Sequence, residues 1–303
     1  MNRPESPTLT PAAASELFRR PPDRMIDVGA GEVALRTVGS GPHVLLVHGW
    51  PLSGATYRGL LPHLVDHVTC HVIDLPGAGS SRFDATTELS VARHTETVRR
   101  VIDHLTGPRG PGAASVAVVG HDSGGLFVRH AVAGDGRVHG VGLIDTEQPT
   151  MSLRFRAFIG GRRIPGYGAA LRWTLARPRL RRLGPVFGAA FADPSNLDGE
   201  FDEFFLRPLV ERPERFAAAV RLLRAFDLDT VRSLDAVHRR ISCPVQLVWG
   251  EQDRFFPVAA ARTMAARFPE ARLTVVPGAG LMSQEEQPAA VARALLPVLA
   301  GPA

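Results

Sequence analysis

Apolar residues along this chain fall into two patterns. Short, nearly unbroken runs of Val, Leu and Ile occur at "HVLLV" (43–47), "CHVIDL" (70–75), "SVAVV" (115–119), "VGLI" (141–144), "PVQLVW" (244–249) and "LTVV" (273–276). A strand with one wet face alternates apolar and polar residues. An unbroken apolar run needs cover on both faces, which is the condition inside a parallel sheet. Between these runs the apolar spacing changes to a helical period, most clearly over 88–105, 124–134, 258–268 and 287–300. The alternation predicts an α/β protein, with a mostly parallel central sheet flanked by helices.

The alternation breaks between 151 and 239. That stretch is helical in pattern, rich in arginine and interrupted by Gly and Pro ("GGRRIPGYG", "RPRLRRLGP", "ADPSNLDGE"). It predicts a helical subdomain inserted into a core formed by 26–150 and 240–303. Residues 1–25 read as a flexible N-terminal tail.

Composition narrows the class. A chain of 303 residues can bury one large core and still carry an inserted subdomain. Its 45% hydrophobic and 21% charged residues are ordinary for a soluble globular protein. No apolar run reaches the roughly 18 residues that span a bilayer. The first residues lack the apolar stretch of a signal peptide. The expectation is a cytoplasmic protein with no membrane partner, either a monomer or a homodimer. The chain has no lysine, so all 35 basic residues other than histidine are arginine. A lysine Schiff base, and with it the usual pyridoxal chemistry, is excluded. A net charge of +5 is modest for this length. Without basic–aromatic interleaving it gives no reason to expect nucleic-acid binding. Cys70 and Cys243 sit in or beside strand-like runs and read as buried free thiols. No Cys/His cluster has metal-ligand spacing, and GxGxxG and P-loop patterns are absent, so neither metal nor cofactor is expected.

The run "VAVVGHDSGG" (116–125) carries the chemistry. A buried strand ends at Gly120 and a helix follows from about Gly124. Between them lies a small-x-nucleophile-x-small pattern centred on Asp122. A strand-to-helix turn this sharp exposes its central residue, needs small neighbours two positions away, and brings helix N–H groups close to it. A rival register centred on Ser123 would place bulky His121 where a small residue is needed.

Four motifs in order now resemble one family. "HGWP" (48–51), "DLPGAGSS" (74–81), "GHDSGG" (120–125) and "WGEQDRFFP" (249–257) each follow a predicted strand. Together they resemble the α/β-hydrolases over residues 30–300, specifically the branch of epoxide hydrolases and haloalkane or haloacetate dehalogenases. The resemblance implies that 151–239 is a cap and that the ligand lies between the cap and the strand ends. It implies Asp122 as nucleophile, the backbone N–H groups of Trp50 and Ser123 as an oxyanion hole, and Asp253 as the acid that orients a catalytic histidine. In this branch that histidine falls within "GAGLMSQEEQP" (278–288), at the position occupied here by Leu281. Two further departures concern the substrate. Ser123 stands where many relatives have tryptophan. Of the two tyrosines, Tyr57 and Tyr167, only Tyr167 falls in the expected cap, so a two-tyrosine epoxide clamp is not available.

No histidine follows His238, and none lies in 140–237. His48, His121 and His130 are the remaining candidates: His48 reads as part of the HGxP turn, His121 as pointing away from the nucleophile, and His130 as a helix residue with a packing role. A carboxylate is ionised at neutral pH unaided, so attack by Asp122 on carbon survives the loss of histidine. Hydrolysis of the resulting ester loses a base that contributes roughly 10²–10⁴-fold. Three readings stay open. Asp122 acts as a base or electrostatic group in non-hydrolytic chemistry, such as cyclisation, isomerisation or elimination of a natural product. Alternatively, the protein remains a hydrolase, with Asp253 or Glu147 acting through water, or with an engineered histidine-to-leucine change that traps the ester. Thirdly, it is a non-catalytic ligand-binding protein. In each case the partner is a small molecule, with Trp50, Tyr167, Trp173, Glu147, Leu281 and Met282 as expected lining. The runs "RFRAFIGGRR" and "RPRLRRLG" leave room for an anionic group on it.

Overall fold

A computed structural model describes residues 9–29, 31–183 and 187–301. Eight strands form one sheet in the order β1-β2-β4-β3-β5-β6-β7-β8. They are β1 (Arg24–Asp27), β2 (Glu32–Gly39), β3 (His43–Val47), β4 (Thr69–Asp74), β5 (Val116–His121), β6 (Val138–Ile144), β7 (Val245–Gly250) and β8 (Ala271–Val276). β1 and β2 pair antiparallel, as do β2 and β4, and every other pairing is parallel. The six expected strands are present as β3 to β8. β5 and β7 are buried at every position, as their unbroken apolar runs require.

α1 (Pro11–Arg19) corrects the expected N-terminal tail. Thr10 caps it, Ala14 and Ser15 are buried, and its Leu17 carbonyl accepts from the buried Arg36 guanidinium of β2. Residues 1–8 of that tail lie outside the described residues. α2 (Val91–Thr106), α3 (Ser123–Val132), α11 (Val258–Ala265), α12 (Ser283–Glu286) and α13 (Pro288–Leu299) flank the sheet. Between β6 and β7 the described chain holds helices and no strand. They are α4 (Leu153–Gly161), α5 (Tyr167–Leu175), α6 (Pro178–Leu183), α7 (Arg207–Glu211), α8 (Pro213–Arg224), α9 (Leu228–Arg232) and α10 (Leu234–His238), with short 3₁₀ and π turns between α6 and α7.

This helical insertion covers the carboxyl ends of the strands. α8 lies against the turn after β3, where the Trp50 indole N–H donates to the Ala219 carbonyl at 2.9 Å. Arg58 donates to Glu200 and Glu285, both at 2.9 Å, and so ties the insertion to the core and to α12. Cys70 is buried and Cys243 half-buried, and both are free thiols. No described helix is long and apolar enough to cross a membrane.

Candidate active site

Asp122 stands between β5 and α3 with φ 49° and ψ −132°, a backbone conformation that side-chain-bearing residues rarely adopt. Steric crowding explains the glycines around it. A Cβ on Gly120 would lie 2.6 Å from the Gly125 Cα, and one on Gly124 would lie 2.4 Å from the carbonyl oxygens of Val47 and His48. The elbow is therefore centred on Asp122, and Ser123 is already the first residue of α3.

The Trp50 N–H, expected as an oxyanion-hole donor, points at the Asp122 carboxylate. It lies 2.9 Å from Asp122 Oδ2 and 2.9 Å from Ser123 Oγ. One carboxylate oxygen is thus held by a backbone donor. Burial raises the Asp122 pKa well above its ordinary value, and the charge of Glu147 raises it further.

Glu147 is buried and shares the cavity with Asp122. Burial raises its pKa too, and the Arg129 guanidinium, 3.9 Å from Glu147 Oε2, opposes that rise. Arg129 is fully buried and donates to the Thr146 hydroxyl at 2.9 Å and to the Gly125 carbonyl at 3.0 Å. The Thr146 hydroxyl has one proton and two acceptors, the Asp122 carbonyl at 2.8 Å and Glu147 Oε2 at 3.0 Å. The elbow, Glu147 and Arg129 therefore form one buried polar group.

Leu281 lies beside this group with 7% of its surface exposed. Its backbone is anchored from three directions. His121 Nε2 donates to the Leu281 carbonyl at 3.0 Å, and the Met282 N–H donates to the Ala190 carbonyl at 3.2 Å. Glu286 accepts from the N–H groups of Gly280, Ala192 and Asp193. Of the two acids in the 278–288 stretch, Glu286 thus fastens this loop to the insertion, while Glu285 pairs with Arg58.

Asp253 is buried after β7. Its Oδ1 accepts from the N–H groups of Phe255 and Phe256 at 2.7 and 3.0 Å, while Oδ2 has no partner. Burial pushes its pKa up to about 7 despite those two bonds. Asp145, which the sequence reading missed, is the second buried acid here. It has φ 38°, and its carboxylate accepts from the Gly250 N–H at 2.7 Å and the Ser283 hydroxyl at 2.5 Å. Burial raises its pKa, and the charge of Asp253 adds to the rise. Only the tertiary setting of Asp145 marks it out, because the sequence holds no signal for a positive φ at an aspartate.

The three candidate histidines serve other purposes. His48 accepts the Leu75 N–H on Nε2 and binds the Gly49 carbonyl through Nδ1. His121 is bound to the Leu281 carbonyl, and burial holds its pKa down to about 4, so it stays neutral. His130 binds the Thr230 carbonyl.

A cavity of about 60 Å³ brings together Trp50, Asp122, Ser123, Glu147, Leu281 and Met282. The rest of its wall is apolar and mostly phenylalanine: Phe155, Phe158, Phe187, Phe226, Phe255 and Phe256. The sequence reading missed these rings, since phenylalanine in helical and loop segments is equally a packing residue. Two expected lining residues are elsewhere. Trp173 is 55% exposed and lies under Arg177, and Tyr167 lines a separate depression on the insertion. Both stand on α5, which does not line the cavity.

With this fold and this elbow in place, the class is clear. Residues 44–294 match the model of the alpha/beta hydrolase family, and the chain belongs to that family. An uncharacterised protein of Mycobacterium tuberculosis is 29% identical over 266 residues, covering 84% of this chain and 74% of its own. A pimeloyl-(acyl-carrier protein) methyl ester esterase of Xanthomonas campestris is 27% identical over 264 residues, covering 80% and 89%. Among solved structures, the epoxide hydrolase CorEH superposes with a TM-score of 0.74 at 20% identity, covering 91% of this chain and 98% of its own, a likeness of fold.

Proposed function

We propose that this α/β-hydrolase-family enzyme acts on a small, largely apolar organic molecule, and that Asp122 serves as base or electrostatic group in a reaction that needs no activated water. The observation that carries this reading is the apolar side chain of Leu281 beside Asp122, with the acid Asp253 left without a partner on Oδ2. Aromatic walls and the absence of a neighbouring imidazole keep the Asp122 carboxylate poorly solvated. A base of raised pKa is better matched to taking a proton near neutral pH than a free aspartate. Asp122 would take a proton from substrate carbon. Returning it at another carbon isomerises the substrate, and loss of a leaving group from the adjacent carbon eliminates. The Trp50 and Ser123 N–H groups, in the oxyanion-hole role, would hold Asp122 or the negative charge developing next to it.

A second reading has its own support. The Xanthomonas relative is an esterase, and Glu147 is a buried acid in the same cavity. Glu147 acting through water would complete a hydrolytic cycle without histidine.

Intact-mass spectrometry after incubation with epoxides, haloalkanes, haloacetate and activated esters separates the readings. The non-hydrolytic reading expects no lasting adduct with any of them, and isomerised or eliminated products from apolar substrates. An adduct on Asp122 that persists, and that Leu281→His converts into turnover, would overturn it in favour of a stalled nucleophile. Rapid hydrolysis by the unaltered enzyme, lost in Glu147→Gln, would establish the second reading.

A further inference from the structure

A second chamber of about 60 Å³ adjoins the first and shares Trp50, Pro51, Ser123 and Leu222 with it. Its walls come from the turns at 48–53 and 75–79, from His94 and Phe127, from the stretch 204–209, and from α8. α8 turns one face to both chambers: Arg215, Ala218, Ala219 and Leu222 line the second, and Leu222 and Leu223 the first. These positions recur at helical spacing, so one stripe of one helix runs from Arg215 towards the Asp122 cavity.

Arg215 is the unusual member of that stripe. Its Nη1 is buried and has no hydrogen-bond partner. Its guanidinium lies over the Phe83 ring at 5.2 Å, and the residue as a whole is half-buried. The acid whose charge acts on it most strongly is Asp74. The Asp74 oxygens are already committed, Oδ1 to the Gly54 N–H at 2.8 Å, and Oδ2 to the Ser80 N–H at 2.7 Å and Arg36 at 3.2 Å. Arginines in the insertion's charged runs are engaged differently: Arg181 pairs with Asp198 and Asp202, and Arg182 with Asp198.

A buried guanidinium N–H with no acceptor is costly unless something supplies one. We infer that Arg215 binds a carboxylate on the substrate, whose apolar body passes Trp50 and Leu222 to reach Asp122. A planar carboxylate matches the guanidinium edge, and the surrounding alanine, leucine and phenylalanine side chains suit an aliphatic or aromatic acid. The inference deepens the proposed function by naming a substrate class, and it rests on that reading for the placement of the reacting carbon at Asp122. The binding site itself does not depend on what Asp122 does there.

The test is calorimetric titration with hexanoate and with hexan-1-ol, at pH 7.5, on the full-length protein and on Arg215→Gln and Asp122→Asn. The unaltered protein is expected to bind hexanoate about tenfold or more tightly than the alcohol. Arg215→Gln should remove that preference while leaving alcohol binding unchanged. Asp122→Asn should keep it, which separates failure of this subsite from failure of the proposed chemistry. A second measurement needs no variant: hexanoate should protect Arg215 from phenylglyoxal, read by peptide mass, and hexan-1-ol should not. Equal binding of acid and alcohol, a preference that survives Arg215→Gln, or absence of protection would each overturn the inference.

Discussion

Asp122 and Glu147 share one low-dielectric cavity, so each makes ionisation of the other harder. Arg129 lies close to Glu147 and biases the charge towards it. The pair therefore titrates as a unit, and the Asp122 carboxylate becomes available only as pH rises through its elevated pKa. The sign of the prediction follows. Glu147→Gln removes a like charge, lowers the Asp122 pKa, and moves the rising limb of the pH–rate profile to lower pH. A loss of activity at every pH would instead assign the catalytic base to Glu147. The assay is initial rate against pH for both proteins.

At the level of elements, the elbow depends on the contact between β3, β5 and α3. Gly124 is held against two carbonyl oxygens of β3 and the turn after it, so Gly124→Ala must push α3 away from the sheet. The expected loss is about 1–3 kcal/mol in thermal or urea unfolding, with a larger effect on turnover because Asp122 moves with the helix. This motif was legible in the sequence because sterics leave so few residue types that fit it. β3 to β8 were legible for a similar reason, since burial on both faces leaves unbroken apolar runs. β1 and β2 were not. They pair antiparallel at one end of the sheet and carry Arg24, Asp27, Glu32 and Arg36 among their residues, so they leave no unbroken apolar run. α1 was hidden by its proline, alanine and serine content. At the site, Asp122, Ser123, Trp50, Glu147, Leu281 and Met282 followed from motif position. Tyr167 and Trp173 were chosen by residue type alone, and the structure turns α5 away from the cavity.

Across the whole molecule, Arg58 holds three parts together: the core turn in which it stands, Glu200 of the insertion and Glu285 of α12. Glu285 is nearly inaccessible, with 8% of its side chain exposed, and burial raises its pKa against the pull of Arg58. Arg58→Met would leave that buried carboxylate with the Thr56 hydroxyl and no cation, costing about 3–5 kcal/mol. The sign with pH is fixed by the carboxylate. The loss is full where Glu285 would be ionised, near pH 8, and shrinks as it takes up a proton towards pH 4. Thermal unfolding of both proteins at pH 8 and pH 4 checks this, and limited proteolysis should show the insertion cut first.

The loop at 281 has one more consequence. His121, Met282 and Glu286 grip its backbone, and none of them relies on the leucine side chain. The backbone path at 281 is therefore set without the leucine side chain, which packs in the buried apolar core. Uncharged residues of similar size there would change the group beside Asp122 while the loop keeps its backbone bonds. Where the leucine codon is CTC or CTT, histidine is a single nucleotide away, so an imidazole beside Asp122 lies within one mutational step.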